Sequence, residues 1–95
     1  MSNLHLLCEN GNIEELKKQV IKGEDINSLN ESGMTPLMVA AKNGKKELVL
    51  FLLESGANIE IKDNDNKTAY LYAKESNHDE LFVKILSYDY FIHEK

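Results

Sequence analysis

Apolar residues in this chain fall in short blocks with helical spacing, and turn formers separate the blocks. The longest apolar run is Leu48 to Leu53 (LVLFLL). Ahead of it, Thr35 can cap a helix with its hydroxyl. Pro36 then takes the first helical position, where its missing N–H costs nothing and its fixed φ already suits the helix. Leu37, Val39, Ala40 and Ala41 give that helix an apolar face of small residues. Asn43-Gly44 stops it, because glycine readily takes the left-handed conformation that closes a helix. A second helix is predicted over residues 47–53, with Gly56 as its stop. Together they make a helix hairpin with one face too apolar to remain in water.

The unit recurs. Shifting the sequence by 33 residues aligns Thr35 with Thr68, Leu37 with Tyr70, Ala40 with Ala73, Glu47 with Glu80, Leu53 with Leu86 and Ile59 with Ile92. The same shift backwards places Ser2 on Thr35, Leu4 on Leu37, Asn10-Gly11 on Asn43-Gly44, Glu14 on Glu47, Gly23 on Gly56 and Ile26 on Ile59, with no gap. At these residues the sequence resembles the ankyrin-repeat family. Thr35, Pro36, Leu37, Ala40, Gly44, Gly56, Ala57 and Ile59 meet the family's T-P-L-x-x-A pattern, its inter-helix glycine and its G-A-x-[IV] ending. The resemblance covers essentially the whole chain. It implies one all-α domain over residues 1–95, an ankyrin-repeat solenoid of three stacked helix-turn-helix repeats with short β-hairpin loops. The repeats would span about 2–29, 30–62 and 63–95.

Both ends depart from the middle repeat in the way that terminal caps require. Glu15, Lys17 and Lys18 stand where the middle repeat has Leu48, Leu50 and Phe51, which predicts a polar outer face on the first repeat. Lys17, Lys18 and Lys22 also complement the dipole of the second helix, expected over about 13–22. Leu50 falls where the family usually has a polar residue, so exposure on the back of the stack is expected. In the third repeat Ala69 replaces Pro36, Asn77 replaces Gly44, and Asp89-Tyr90 replaces Gly56-Ala57, while Lys74 and Lys84 take apolar positions. Six of the seven aromatics gather there, namely Tyr70, Tyr72, Phe82, Tyr88, Tyr90 and Phe91. They either seal the end of the stack or form an exposed patch that binds a partner or a second copy.

Between the helix pairs, residues 28–34 (SLNESGM) and 61–67 (IKDNDNK) are rich in turn formers. They are expected to project as loops, with Gly33 and Asn66 at positions that tolerate positive φ.

Ninety-five residues give a marginal globular core, and a stack of three repeats solves that problem linearly. The net charge is −5, and all eleven basic residues are lysine. A nucleic-acid binder is expected to show a basic stripe and arginine forks, so this composition argues against that class and no nucleic-acid partner is expected. The single cysteine, Cys8, cannot form an intramolecular disulfide and sits where a small buried residue is expected. No basic, apolar leader precedes the first helix, and the longest apolar run is too short to cross a bilayer, so a cytoplasmic protein without membrane contact is expected.

Catalytic and metal chemistry find no support. Asp63-Asn64-Asp65-Asn66-Lys67 begins like a calcium loop, but Lys67, Thr68 and Lys74 occupy its fifth-ligand, glycine and bidentate-glutamate positions, so a solvated tip is predicted. His5, His78 and His93 are widely separated, and His5 with Cys8 supplies only two ligands. The five glycines are isolated turn residues, so no phosphate loop exists. Neither an enzyme nor a cofactor is expected.

The family resemblance implies recognition of another protein through the hairpin tips and the inner face of the first helices. Position by position it points to Glu31, Ser32 and Met34 from one tip, with Lys42 and Asn43 from the adjoining helix. Asn64, Asp65, Lys67, Glu75 and Ser76 follow from the third repeat, Glu9 and Asn10 extend the surface, and Leu29 and Lys62 border the loops. Met34 and Leu29 are the expected apolar anchors if exposed, although Leu29 could tuck under its loop. Tyr88 and Tyr90 mark a possible second patch. Two functions follow: a stoichiometric binder such as an inhibitor, immunity protein or adaptor, or the subunit of an oligomer assembled through the aromatic third repeat. The first is favoured by the small size and the absence of catalytic groups.

Overall fold

Thr35 and Thr68 start the same helix twice. Both have extended backbone, and the Thr35 hydroxyl accepts from the Met38 amide at 3.2 Å as the Thr68 hydroxyl does from Leu71 at 3.3 Å. The computed structural model describes residues 4–76 together with His78, Ile85 and Ser87. Within them lie five helices: α1 (Leu4–Asn10), α2 (Ile13–Ile21), α3 (Pro36–Lys42), α4 (Lys46–Glu54) and α5 (Ala69–Glu75). Asn12 caps α2 by accepting from the Glu15 amide at 3.2 Å. Lys45, its counterpart before α4, makes no such side-chain bond.

The turns between paired helices are built alike. Asn12 N donates to Leu7 O at 2.9 Å, Lys45 N to Ala40 O at 3.0 Å and His78 N to Ala73 O at 3.0 Å. Gly44, at φ +67°, makes the second of these turns, and the His78 ring lies so close that a Cβ on Gly44 would meet it at 2.5 Å. Glycine is therefore needed twice there, for its backbone and for its missing side chain.

Helix α3 is the centre of the molecule, packing on α1, α4 and α5. Every residue from Pro36 to Ala41 is buried. Ala40 and Ala41 expose nothing, so neighbouring helices can approach closely. From α4 come Leu48, Val49, Leu52 and Leu53, from the first repeat Leu4, Cys8 and Leu16, and from the third Ala69, Tyr72, Ala73 and Ile85. Each large side chain buried here contributes about 1.5–3 kcal/mol of transfer free energy. Most of that gain is realised between repeats, since a seven-residue helix is too short to persist alone.

Several expectations need correction. The inter-repeat loops contain no strand among the described residues. Each closes instead through one tight turn, in which Asn30 N donates to Met34 O at 3.0 Å and Asp63 N to Lys67 O at 3.0 Å. Lys17 does not face the open end of the stack, because its ammonium lies 5.7 Å from the centre of the Phe51 ring in the next repeat. Leu50 is half-buried rather than free on the back.

Candidate protein-interaction surface

Because α1, α3 and α5 lie side by side at one repeat per step, residues 33 apart form rows across the stack. One row is Leu6, Val39 and Tyr72. A turn further along the helices lie Glu9, Lys42 and Glu75, followed by Asn10, Asn43 and Ser76. The first row is uneven: Leu6 is 55% exposed, whereas Val39 is 7% and Tyr72 8% exposed. In the second row all three side chains are exposed. Packed helices are spaced by about 8–10 Å, so the rows present one side chain at roughly that interval.

The loops at the opposite ends of these helices are ordered by carboxamide and carboxylate groups. Asn30 Oδ1 accepts from Ser32 N at 2.9 Å and Met34 N at 3.0 Å. Asp63, one repeat on, does the same for Asp65 N and Lys67 N, both at 2.9 Å. Gly33 (φ +76°) and Asn66 (φ 64°) take the positive φ foreseen for them. The two tips also touch: Asn64 N donates to Ser32 O at 3.0 Å, and Asn64 Nδ2 to Glu31 O at 3.2 Å. A Cβ on Gly33 would stand 2.6 Å from Asn64 Oδ1, so glycine lets the tips stack.

A cluster around Tyr72 joins the tips to the helix face. The Tyr72 hydroxyl donates to Asp63 Oδ2 in a short bond. Lys67 Nζ lies 5.5 Å and Lys42 Nζ 6.0 Å from the centre of the Tyr72 ring. Lys67 also pairs with Glu75 at 2.9 Å. Burial alone would raise the Asp63 carboxyl, but the bonds from Tyr72, Lys67 and Asp65 and the charge of Lys67 together hold it below its ordinary value. Burial, then the bond to Asp63 and the charges of Asp63, Asp65 and Glu75, push the Tyr72 phenol up to about 12. It remains a neutral donor at any physiological pH. Asp63 is thus buried and fully bonded, not the solvated tip expected of it.

Most of the residues singled out from the sequence do lie at the surface. Glu9, Asn10, Leu29, Glu31, Ser32, Lys42, Asn43, Lys62, Asn64, Asp65 and Glu75 are exposed, and Lys67 and Ser76 are half-exposed. Asn43 spends its amide on Val39 O at 2.8 Å. Leu29 is 57% exposed and does not tuck under its loop. Met34 contradicts its expected role as an exposed anchor. It is only 9% exposed and belongs to the core, and its carbonyl accepts from His5 Nε2 at 2.7 Å. Its counterpart one repeat on, Lys67, has a charge to keep in water, and that chemical difference decides which of the two tip residues folds inward. Tyr88 and Tyr90 lie outside the described residues. Leu6 and the Tyr72 cluster were not foreseen. Their signal was the row alignment with Val39 and Lys42.

Among the described residues no three His, Cys, Asp or Glu side chains come together in a way that could hold a metal ion. Cys8 is buried, and burial pushes its thiol up to about 12, which leaves it a core residue without nucleophilic character. No helix among the described residues is long and apolar enough to cross a membrane. An open groove of about 360 Å³ lies at the turn end of the helices, lined by Gly11, Ile13, Lys45, Lys46, Glu47 and Leu48. It carries no constellation of reactive groups.

The family model for ankyrin repeats matches residues 4–95 in three copies, and the chain belongs to the ankyrin-repeat family. Among curated relatives, the rice (Oryza sativa subsp. japonica) E3 ubiquitin-protein ligase XB3 is 42% identical over 59 residues, 62% of this chain and 13% of that protein. Myotrophin of Xenopus tropicalis is 40% identical over 50 residues, 53% of this chain and 42% of myotrophin. A chain in the solved complex of the predatory endopeptidase Bd0816 from Bdellovibrio bacteriovorus with the immunity protein Bd3460 matches with a TM-score of 0.86 and 32% identity, covering 93% of this chain and 46% of that one. The chain therefore spans less than half the length of each of these relatives. The ankyrin-repeat stack of this chain is a protein–protein interaction module.

Proposed function

We propose that the chain is a stoichiometric protein binder that occludes or tethers one partner through the stacked tips and the inner face of its first helices, in the manner of an inhibitor or immunity protein. The observation that carries this reading is the continuity of the surface. The tips over 30–34 and 63–67 are held by side-chain bonds and by each other, and the Lys67–Glu75 ion pair links them to an exposed row that runs from Glu9 through Lys42 to Glu75. A surface already ordered in the free protein loses little entropy on association. Likeness to a chain from an endopeptidase–immunity protein complex supports the inhibitory version.

The test is retention of a partner from lysate of the source organism or its host. Wild-type protein is compared with a variant carrying Lys42→Glu, Lys62→Glu and Asn64→Ala, after both give the same far-ultraviolet circular dichroism. A stoichiometric protein held by the wild type and lost by the variant is the expected result. Equal retention by both removes this surface from consideration.

A further inference from the structure

Two Asn-Gly steps stand one repeat apart: Asn10 closes α1 ahead of Gly11, and Asn43 follows α3 ahead of Gly44. Such a step has chemistry of its own, because a glycine amide nitrogen, unshielded by a side chain, can attack the carboxamide carbon before it. The turns that hold the two steps are alike in backbone. Gly11 has φ +76° and Gly44 +67°, and the next amide bonds back to Leu7 O in one and to Ala40 O in the other. Their surroundings differ. Asn43 Nδ2 donates to Val39 O at 2.8 Å, and the His78 ring presses on Gly44 so closely that a Cβ there would meet it at 2.5 Å. The Asn10 carboxamide is exposed and makes no hydrogen bond among the described residues. A Cβ on Gly11 would meet only the flexible Lys45 side chain, at 3.5 Å. Asn43 also follows the helix that packs on α1, α4 and α5, whereas α1 belongs to an end repeat and packs on α2 and α3. End elements open locally at lower free energy than central ones.

We infer that Asn10 is a site of spontaneous deamidation through a cyclic succinimide formed with Gly11, and that Asn43 is its protected counterpart. The Gly11 amide gives its proton to solvent base, and its nitrogen forms a bond to Asn10 Cγ. The Cγ–Nδ2 bond breaks, and the nitrogen leaves as ammonia after taking a proton from water. A second water then opens either ring C–N bond, giving aspartate or isoaspartate. The sum is one water consumed and one ammonia released, with no change of oxidation state. At Asn43 the bond to Val39 O must break first. One hydrogen bond of ordinary strength is a factor of about five in rate, and the clamped turn adds to it, so Asn10 converts on the order of ten times faster. The product carries a new carboxylate beside Glu9, or an extra backbone methylene at the turn that the Asn12 N–Leu7 O bond closes. Either change falls at the first-repeat end of the exposed face.

The experiment is incubation of the full chain in mildly alkaline buffer made with oxygen-18 water, folded and in strong urea, with samples taken over time for peptide mass spectrometry. Fragmentation that distinguishes aspartate from isoaspartate identifies the products. In the folded chain, Asn10 is expected to take up heavy oxygen about tenfold faster than Asn43, with isoaspartate among the products. In urea the two steps are expected to convert at similar rates, since each is then an exposed Asn-Gly in an open chain. Asn10→Gln, whose longer side chain does not close the same ring, should abolish labelling at that position and leave the rate at Asn43 unchanged. Equal rates at Asn10 and Asn43 in the folded chain would overturn the inference. So would an Asn10 that stays unlabelled when folded yet converts in urea, because the fold would then protect both steps. No partner is needed for any of these readouts, so failure here leaves the proposed binding surface standing.

Discussion

Asp63 shows how much of this surface depends on one side chain. Its counterpart Asn30 orders the preceding tip through the same pair of amide bonds, so asparagine is stereochemically adequate at such a position. What aspartate adds is a charge-assisted bond from Tyr72, which fixes the ring on which Lys42 and Lys67 rest. The Asp63 carboxyl titrates below its ordinary value when folded, so its contribution to stability is complete above that ordinary value. The contribution is lost as the pH falls through the folded value. Asp63→Asn removes the charge while keeping an acceptor for the two amides. At pH 7 the variant should be less stable by about 1 kcal/mol, the difference between a charged and a neutral hydrogen bond. The gap should close as the pH falls below about 4, where the wild type's advantage titrates away. Urea unfolding of both proteins at pH 7 and pH 3 measures this. A gap that stays constant with pH would show that the Asp63 charge contributes nothing.

The helices were more legible than the loops that join them. Thr35 and Pro36 announce the start of α3 because capping and proline geometry are local chemistry, and Gly44 announces its end for the same reason. The turn at Gly44 makes a quantitative claim at the level of the element. Gly44→Ala forces positive φ on alanine, about 1–2 kcal/mol, and drives a Cβ into the His78 ring, which adds about 1–3 kcal/mol unless the ring moves. Gly56 also has positive φ, but a Cβ there meets nothing within 4 Å. Gly56→Ala should therefore cost the backbone part alone, and thermal melts of the two variants should separate by several degrees. Equal melting temperatures would mean that His78 yields freely. By contrast, Met34 and Lys67 share a repeat position, and the 33-residue period alone does not say that the first is buried. That depends on a hydrogen bond from His5, 29 residues away, and on the core that surrounds it. The Asp63–Tyr72 bond was hidden for a related reason. It joins a loop to a helix that the repeat alignment treats separately, and Asp63 resembled the opening of a failed calcium loop. Lys17 was misplaced because a position equivalent to Leu50 does not reveal that a long side chain will lean toward Phe51.

At the scale of the whole molecule, stability is concentrated in one short helix. Among the described helices α3 packs closely on three others, α1, α4 and α5, and none of these helices exceeds nine residues. None would hold its shape alone in water, because nucleation is costly and helices of this length are marginal. A longer repeat array could lose an end repeat and keep the rest, but here both outer repeats lean directly on the middle one. Unfolding is thus expected to be a single cooperative event. Native stability scales as roughly 0.05–0.15 kcal/mol per residue, which for this chain is about 5–14 kcal/mol. Leu37, 1% exposed at the heart of α3, contributes a substantial fraction of that total. Leu37→Ala should cost about 2–5 kcal/mol. Lys18→Ala, on an exposed position of α2, should change stability by less than about 0.5 kcal/mol. Denaturant titrations followed by circular dichroism and by tyrosine fluorescence should give coincident curves for the wild type. They should remain coincident, at a lower midpoint, for Leu37→Ala. Separate transitions would show that an outer repeat folds without the middle one. The inter-repeat packing described here would then be too weak to hold the tips in register, and a binding surface that spans all three repeats would lose its physical basis.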